Sequence, residues 1–259
     1  MTTTGDIAIT VENGIADLRL RNPERRNAIS TSMWQAIAEF AAAVGNRSDV
    51  RVVIMRGDGE RAFSAGAEIT GDAARSPTNA KGYDDLVEDS CRAIEAIAQP
   101  TIALIKGACM GAGVSVAGSC DLRVAADDAF FAVPAAKLGL GYDPRGIDRF
   151  IRIFGAGAAR QAIFTGERLP ASRAYALGAV HAIAPAAEVD AVAATFARTI
   201  AANAPLTIKA AKTAIRALTI NADLRAEADR LYAAADASAD YAEGRKAFAE
   251  KRPARFTGR

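Results

Sequence analysis

The chain has 259 residues, 51% apolar and 24% charged, with 32 basic and 30 acidic side chains giving a net charge of +2. That length holds one large domain or two small ones, and the even charge balance gives no electrostatic basis for nucleic acid as the main ligand. No uninterrupted run reaches the ~18 apolar residues that span a bilayer, so no membrane association is expected; the N-terminus lacks a basic and apolar leader, and the expected location is the cytoplasm.

The first half alternates strands and helices. Ile7–Val11 and Ile15–Arg19 are short alternating runs split by Glu12-Asn13-Gly14, a hairpin signal. Ser30–Val44 has helical periodicity with Ser30 as N-cap. Val50–Met55 is a β-branched run suited to a buried parallel strand. Tyr83–Ala98 reads as a helix and Pro100 opens the strand Thr101–Ile105. Gly111–Ser119 is a short helix of small residues, and Leu122–Ala125 and Ala129–Val133 are two more strands. Beyond residue 146 strand signals almost vanish. Ile147–Phe154, Ala158–Phe164, Ser172–Leu177, Ala186–Asn203, Pro205–Leu218 and Asp223–Glu250 all read as helices. No flexible linker divides the two halves. The expectation is one α/β domain over 1–259, a core to about residue 200 and a helical extension over about 201–259.

Two stretches point to chemistry. Phe63-Ser64-Ala65-Gly66-Ala67-Glu68 follows one apolar run, and Gly107-Ala108-Cys109-Met110-Gly111-Ala112-Gly113 follows another. Each offers small residues where a helix can begin. Side by side, two such turns aim two backbone N–H groups at one oxygen, which stabilises an oxyanion or enolate without a side chain.

The glycine clusters do not spell GxGxxG, and no GxxxxGK[ST] is present. No nucleotide cofactor is expected. Cys91, Cys109 and Cys120 lack metal-ligand spacing and read as small buried hydrophobes; His181 is the one histidine, so no metal site is expected. Gly113-Val114-Ser115-Val116-Ala117 approaches the GxSxG elbow, and Ser115, Asp121 or Asp143, and His181 follow the hydrolase order. The missing last glycine removes the room such an elbow needs, so a serine hydrolase is the weaker alternative.

Asn22-Pro23-Glu24-Arg25-Arg26-Asn27-Ala28, Ala62–Glu68, Gly107–Asp121, Thr165-Gly166-Glu167, Ala176–Val180 and the ending Glu243–Arg259 together resemble the enoyl-CoA hydratase/isomerase (crotonase) superfamily. The resemblance implies a spiral ββα core, a helical C-terminal trimerisation region forming a homotrimer or dimer of trimers, and an acyl-CoA thioester ligand whose coenzyme A is part of the substrate. It places the oxyanion donors on Ala67 and Ala112. It puts the Ala65 carbonyl against the adenine amino group, and Arg25 or Arg26 with Lys251 or Arg252 at the CoA phosphates. Ala28, Glu68, Ile69, Gly111, Ser115, Pro134, Ala135 and Phe248 complete the implied substrate-binding set.

The resemblance has two gaps. The positions of the two hydratase glutamates hold Ser115 and Ala135; alanine moves no proton, and serine without a base is a poor carrier. Asp143, eight residues beyond Ala135, matches the aspartate of the dienoyl-CoA isomerases and related members. Two readings stand. Asp143-Pro144 after Gly141-Tyr142 makes a good turn or helix cap; alternatively Asp143 is a lone carboxylate, its pKa raised by an apolar pocket, that shuttles a proton during double-bond migration. Glu68 is expected to cap or pair, Asp121 to make a structural hydrogen bond, and Glu88 and Asp89 to lie on a solvated helix face. Acyl-CoA isomerase, hydratase with a non-standard base, and catalytically silent acyl-CoA binder remain the functional alternatives.

Overall fold

In a computed structural model, residues 5–68, 76 and 78–259 are described. The predicted hairpin forms: β1 (Asp6–Glu12) pairs antiparallel with β2 (Ile15–Arg21) across Asn13 and Gly14, both at positive φ. Helix α1 (Thr31–Val44) starts at Ser30, whose hydroxyl accepts the Met33 N–H at 3.3 Å.

Three consecutive units then repeat one pattern of long strand, short strand and helix. They are β3 (Val52–Gly57), β4 (Ala62–Ser64) and α2 (Ala80–Ala96); β5 (Thr101–Ile105), β6 (Ala108–Met110) and α3 (Ala112–Ser119); and β7 (Leu122–Ala126), β8 (Phe130–Ala132) and α4 (Pro144–Thr165). They are followed by β9 (Leu169–Pro170), α5 (Ala171–Ala176), β10 (Ala182–Ala184) and α6 (Val189–Ala202). The long strands form a sheet ordered β1-β2-β3-β5-β7-β10, and the short ones a second sheet ordered β4-β6-β8-β9. This is the spiral ββα core. Beyond it lie α7 (Pro205–Thr219), α8 (Arg225–Asp236) and α9 (Ala239–Ala249).

The apolar runs explain the large sheet. Every residue of β5 and the first four of β3 are buried, as befits parallel strands covered on both faces. Trp34, Phe63, Phe131 and Phe150 are fully enclosed around them.

Three expectations need correction. The small-residue turns do not follow the apolar runs of β3 and β5 directly; β4 and β6, strands too short to give a sequence signal, come between. Strands continue after residue 146 as β9 and β10, which are held by pairing rather than propensity. The expected helix over Asp223–Glu250 is broken: a 3-10 turn (Ala222–Leu224) precedes α8, and Ser238 caps a separate α9 by accepting the Tyr241 N–H at 3.1 Å. The helices expected at 147–154 and 158–164 are the two helical segments of α4, separated at Gly155, whose φ of 78° suits glycine.

Candidate active site

The parallel pairing of β4 with β6 brings their two following turns together. At the first, Gly66 carries its carbonyl to the Ile29 N–H (2.8 Å), and the Glu68 N–H returns to the Ile29 carbonyl (2.9 Å). Those bonds bracket Ala67 and leave its own N–H without an acceptor among the described residues. At the second, the Gly111 N–H donates to the Ala132 carbonyl (2.8 Å), and the Gly111 carbonyl accepts from Val114 and Ser115. Ala112 is the first residue of α3, so its N–H has no intrahelical partner and carries the positive end of the helix dipole. Glycines permit this approach. A Cβ on Gly66, whose φ is 109°, would stand 3.2 Å from the Met110 carbonyl oxygen, and one on Gly113 would stand 2.8 Å from Ser64 Cβ.

Both turns open into a cavity of about 570 Å³. Ala28, Ala65, Ala67, Glu68, Gly111 and Ala112 line it. So do Arg25, Ser115, Pro134, Ala135 and Asp143. Ile69 lies outside the described residues. Three predicted residues are not on its wall. Arg26 instead accepts the Ala65 N–H at its carbonyl (2.8 Å) and so holds the turn through backbone. Phe248 and Lys251 lie at the end of α9, both exposed, and within one chain they do not reach this cavity. Glu68 forms an ion pair with Arg25, in line with its expected pairing role.

Asp143 does two things at once. It lines the cavity and it caps α4, accepting the Arg145 N–H at 2.8 Å. The Arg145 guanidinium also clasps its carboxylate at 2.9 and 2.6 Å. That bond holds the Asp143 carboxyl below the usual aspartate range, outweighing desolvation. The expected upward shift is therefore reversed, because the cap and guanidinium supply donors that an apolar pocket would not.

The expectation of a solvated Glu88 also fails. Glu88 is buried on the cavity wall, where it accepts from Arg92 (2.8 Å) and from the buried Arg149 (3.0 Å). Arg149 also reaches Glu95, at 3.2 Å. Sequence reasoning missed Arg149, Tyr83 and Tyr142, all of which line the cavity. One signal existed: Glu88, Cys91 and Glu95 share a face of α2 with Ile94.

The hydrolase constellation does not assemble. His181 Nδ1 accepts the Arg123 backbone N–H at 3.1 Å, away from the cavity wall. Asp121 is taken by the Thr101 N–H and hydroxyl and by Lys212, at 2.7, 2.9 and 2.6 Å, the structural role expected of it. All three cysteines are buried, and their thiols are raised, with burial the largest cause.

Residues 10–259 match the family model described as enoyl-CoA hydratase/isomerase. The chain belongs to that family. As an enoyl-CoA hydratase/isomerase family member, it is 34% identical to the "Probable enoyl-CoA hydratase echA6" of Mycobacterium leprae, over 97% of this chain and 99% of that protein. It is 30% identical to the crotonyl-CoA hydratase of Syntrophomonas wolfei, covering 97% of each. An enoyl-CoA hydratase/carnithine racemase structure from Magnetospirillum magneticum superposes with a TM-score of 0.91 at 33% identity, covering 99% of this chain and 97% of that one. The two sheets and C-terminal helices of this enoyl-CoA hydratase/isomerase family member thus form the crotonase fold. No helix among its described residues is long and apolar enough to cross a membrane.

Proposed function

We propose that this protein isomerises the double bond of an acyl-CoA thioester, with Asp143 moving the proton. One observation carries the reading: the paired Ala67 and Ala112 N–H groups share a cavity with a carboxylate, while positions 115 and 135 hold serine and alanine. The thioester oxygen accepts from Ala67 and Ala112. Asp143 takes a proton from carbon 2 of a 3-enoyl ester, the electron pair spreads into a dienolate whose charge sits on that oxygen, and the Asp143 carboxyl, after exchanging its proton with solvent, delivers one to carbon 4. The carboxylate ends as it began. Arg145 keeps Asp143 in its proton-accepting form at neutral pH, at a cost in basicity. The oxyanion pair then supplies the larger share of the rate, about 10²–10³ for each donor.

The test is mass spectrometry of 3-enoyl-CoA and 2-enoyl-CoA incubated with the protein in D₂O. Deuterium in the acyl chain of the 3-enoyl ester, without added water, is the expected result. Addition of heavy water across the 2-enoyl ester would replace isomerisation with hydration by a non-standard base, as the names of the relatives suggest. A second reading, a silent acyl-CoA binder, is favoured by the clasp of Arg145 on Asp143; it predicts tight binding with neither change.

The single domain, its assembly and its cytoplasmic location belong to the same proposal. Leu218, Tyr232 and Phe248 are 68%, 66% and 87% exposed on the C-terminal helices. Apolar groups so placed support self-association as a homotrimer or dimer of trimers, which light scattering of the purified protein measures.

A further inference from the structure

Ser115, on α3, and Tyr142, on the loop before α4, meet at the cavity wall. Ser115 lies three residues beyond Ala112 on α3, on the same face and about 4.5 Å along the axis. Its Oγ stands 3.5 Å from the Tyr142 hydroxyl, at the long limit of a hydrogen bond. Neither hydroxyl has another partner among the described residues. Burial raises the Tyr142 pKa, so its proton stays on near neutrality. The ring is fixed from behind: a Cβ on Gly146 would come within 2.9 Å of it, and Gly146 sits in the first turn of α4, locked by the Asp143 cap.

We propose that Ser115 and Tyr142 form a hydroxyl pair that selects acyl groups carrying an oxo or hydroxyl oxygen on their chain over plain hydrocarbon chains. This rests on the acyl-CoA reading and deepens it. With the thioester oxygen at Ala112, the chain runs one helical turn to Ser115, within reach of a short acyl group. One hydroxyl of the pair donates to the other, and the remaining O–H is available to a ligand oxygen. An alkyl chain seated there strips water from both hydroxyls and returns no hydrogen bond, whereas an oxygen replaces what the water supplied. The buried Glu88–Arg149 pair on the same wall adds polarity rather than apolar surface.

The test is calorimetric binding of three saturated esters, pentanoyl-, 3-oxopentanoyl- and 4-oxopentanoyl-CoA, none of which contains a carbon–carbon double bond to migrate. The expected result is about tenfold tighter binding of at least one oxo ester than of pentanoyl-CoA, the size of one net hydrogen bond. The affinity ratio should fall toward one in Tyr142→Phe, and again in Ser115→Ala should the first variant fold poorly. Equal affinities for all three esters in the unaltered protein overturn the proposal while leaving the isomerase reading intact. So does a preference that survives both substitutions. No binding of any ester overturns the acyl-CoA reading and this inference with it.

Discussion

A Cβ on Gly66 would stand 3.8 Å from the Ala112 nitrogen, so the two turns that carry the oxyanion donors are in direct contact. Gly66 also has φ 109°, a region that L side chains avoid. Gly66→Ala should therefore cost about 1–3 kcal/mol in strain and displace the Ala67 N–H. Turnover is expected to fall by about 10²-fold or more, with thermal denaturation and steady-state kinetics measured on the same sample.

Ala112→Pro isolates the second donor. Proline is well tolerated at the first position of a helix, where its missing N–H would have no helical partner. The fold should survive while turnover drops about 10²–10³-fold. Undiminished turnover in a folded variant would remove Ala112 from the mechanism.

Asp143→Asn separates chemistry from capping. Asparagine caps a helix about as well as aspartate, so α4 should stay in place. The lost ion pair with the partly exposed Arg145 is worth about 1 kcal/mol at most. Deuterium exchange should disappear while CoA-ester affinity is nearly kept; exchange that persists would unseat Asp143.

The pH profile reports on Arg145. The working form of Asp143 is ionised, and the Arg145 guanidinium holds its pKa below the ordinary aspartate value. Turnover should then be flat from neutrality down to about pH 5, with an acid limb lower still. Arg145→Ala should move that limb upward, toward the ordinary carboxylate position. Stability shares the sign: with the folded pKa depressed, the stabilisation is present above the unfolded pKa and fades as pH falls through the folded one. A profile identical in both proteins would show that Asp143 does not titrate in catalysis.

Arg149→Met tests the buried ion cluster. It leaves Glu88 and Glu95 buried with only Arg92 and Arg152 to answer them. A loss of about 3 kcal/mol is expected in urea denaturation. Adding Glu88→Gln should recover part of it, since the uncompensated charge causes most of the cost.

Much of the framework was legible from local signals. Ser30 announced α1 through its capping hydroxyl, Glu12-Asn13-Gly14 announced the hairpin, and the apolar runs Val50–Met55 and Thr101–Ile105 announced strands, the first of them a buried parallel one. The strands β4, β6 and β10 were not legible. Each is three residues long, and its partner lies tens of residues away, so only pairing makes it a strand.

The same division runs through the site. Small residues at 65–67 and 111–113 were readable, because close backbone approach demands them wherever it occurs. The absence of a carboxylate at 115 and 135 was equally plain, since a side chain's chemistry does not depend on its fold. The charge state of Asp143, the burial of Glu88 against Arg149 and the meeting of Ser115 with Tyr142 were matters of folding. Each depends on groups brought within hydrogen-bond reach by sheet pairing and helix packing. Solvation and neighbouring charge set how an ionisable group behaves, and those are properties of position in space rather than order along the chain.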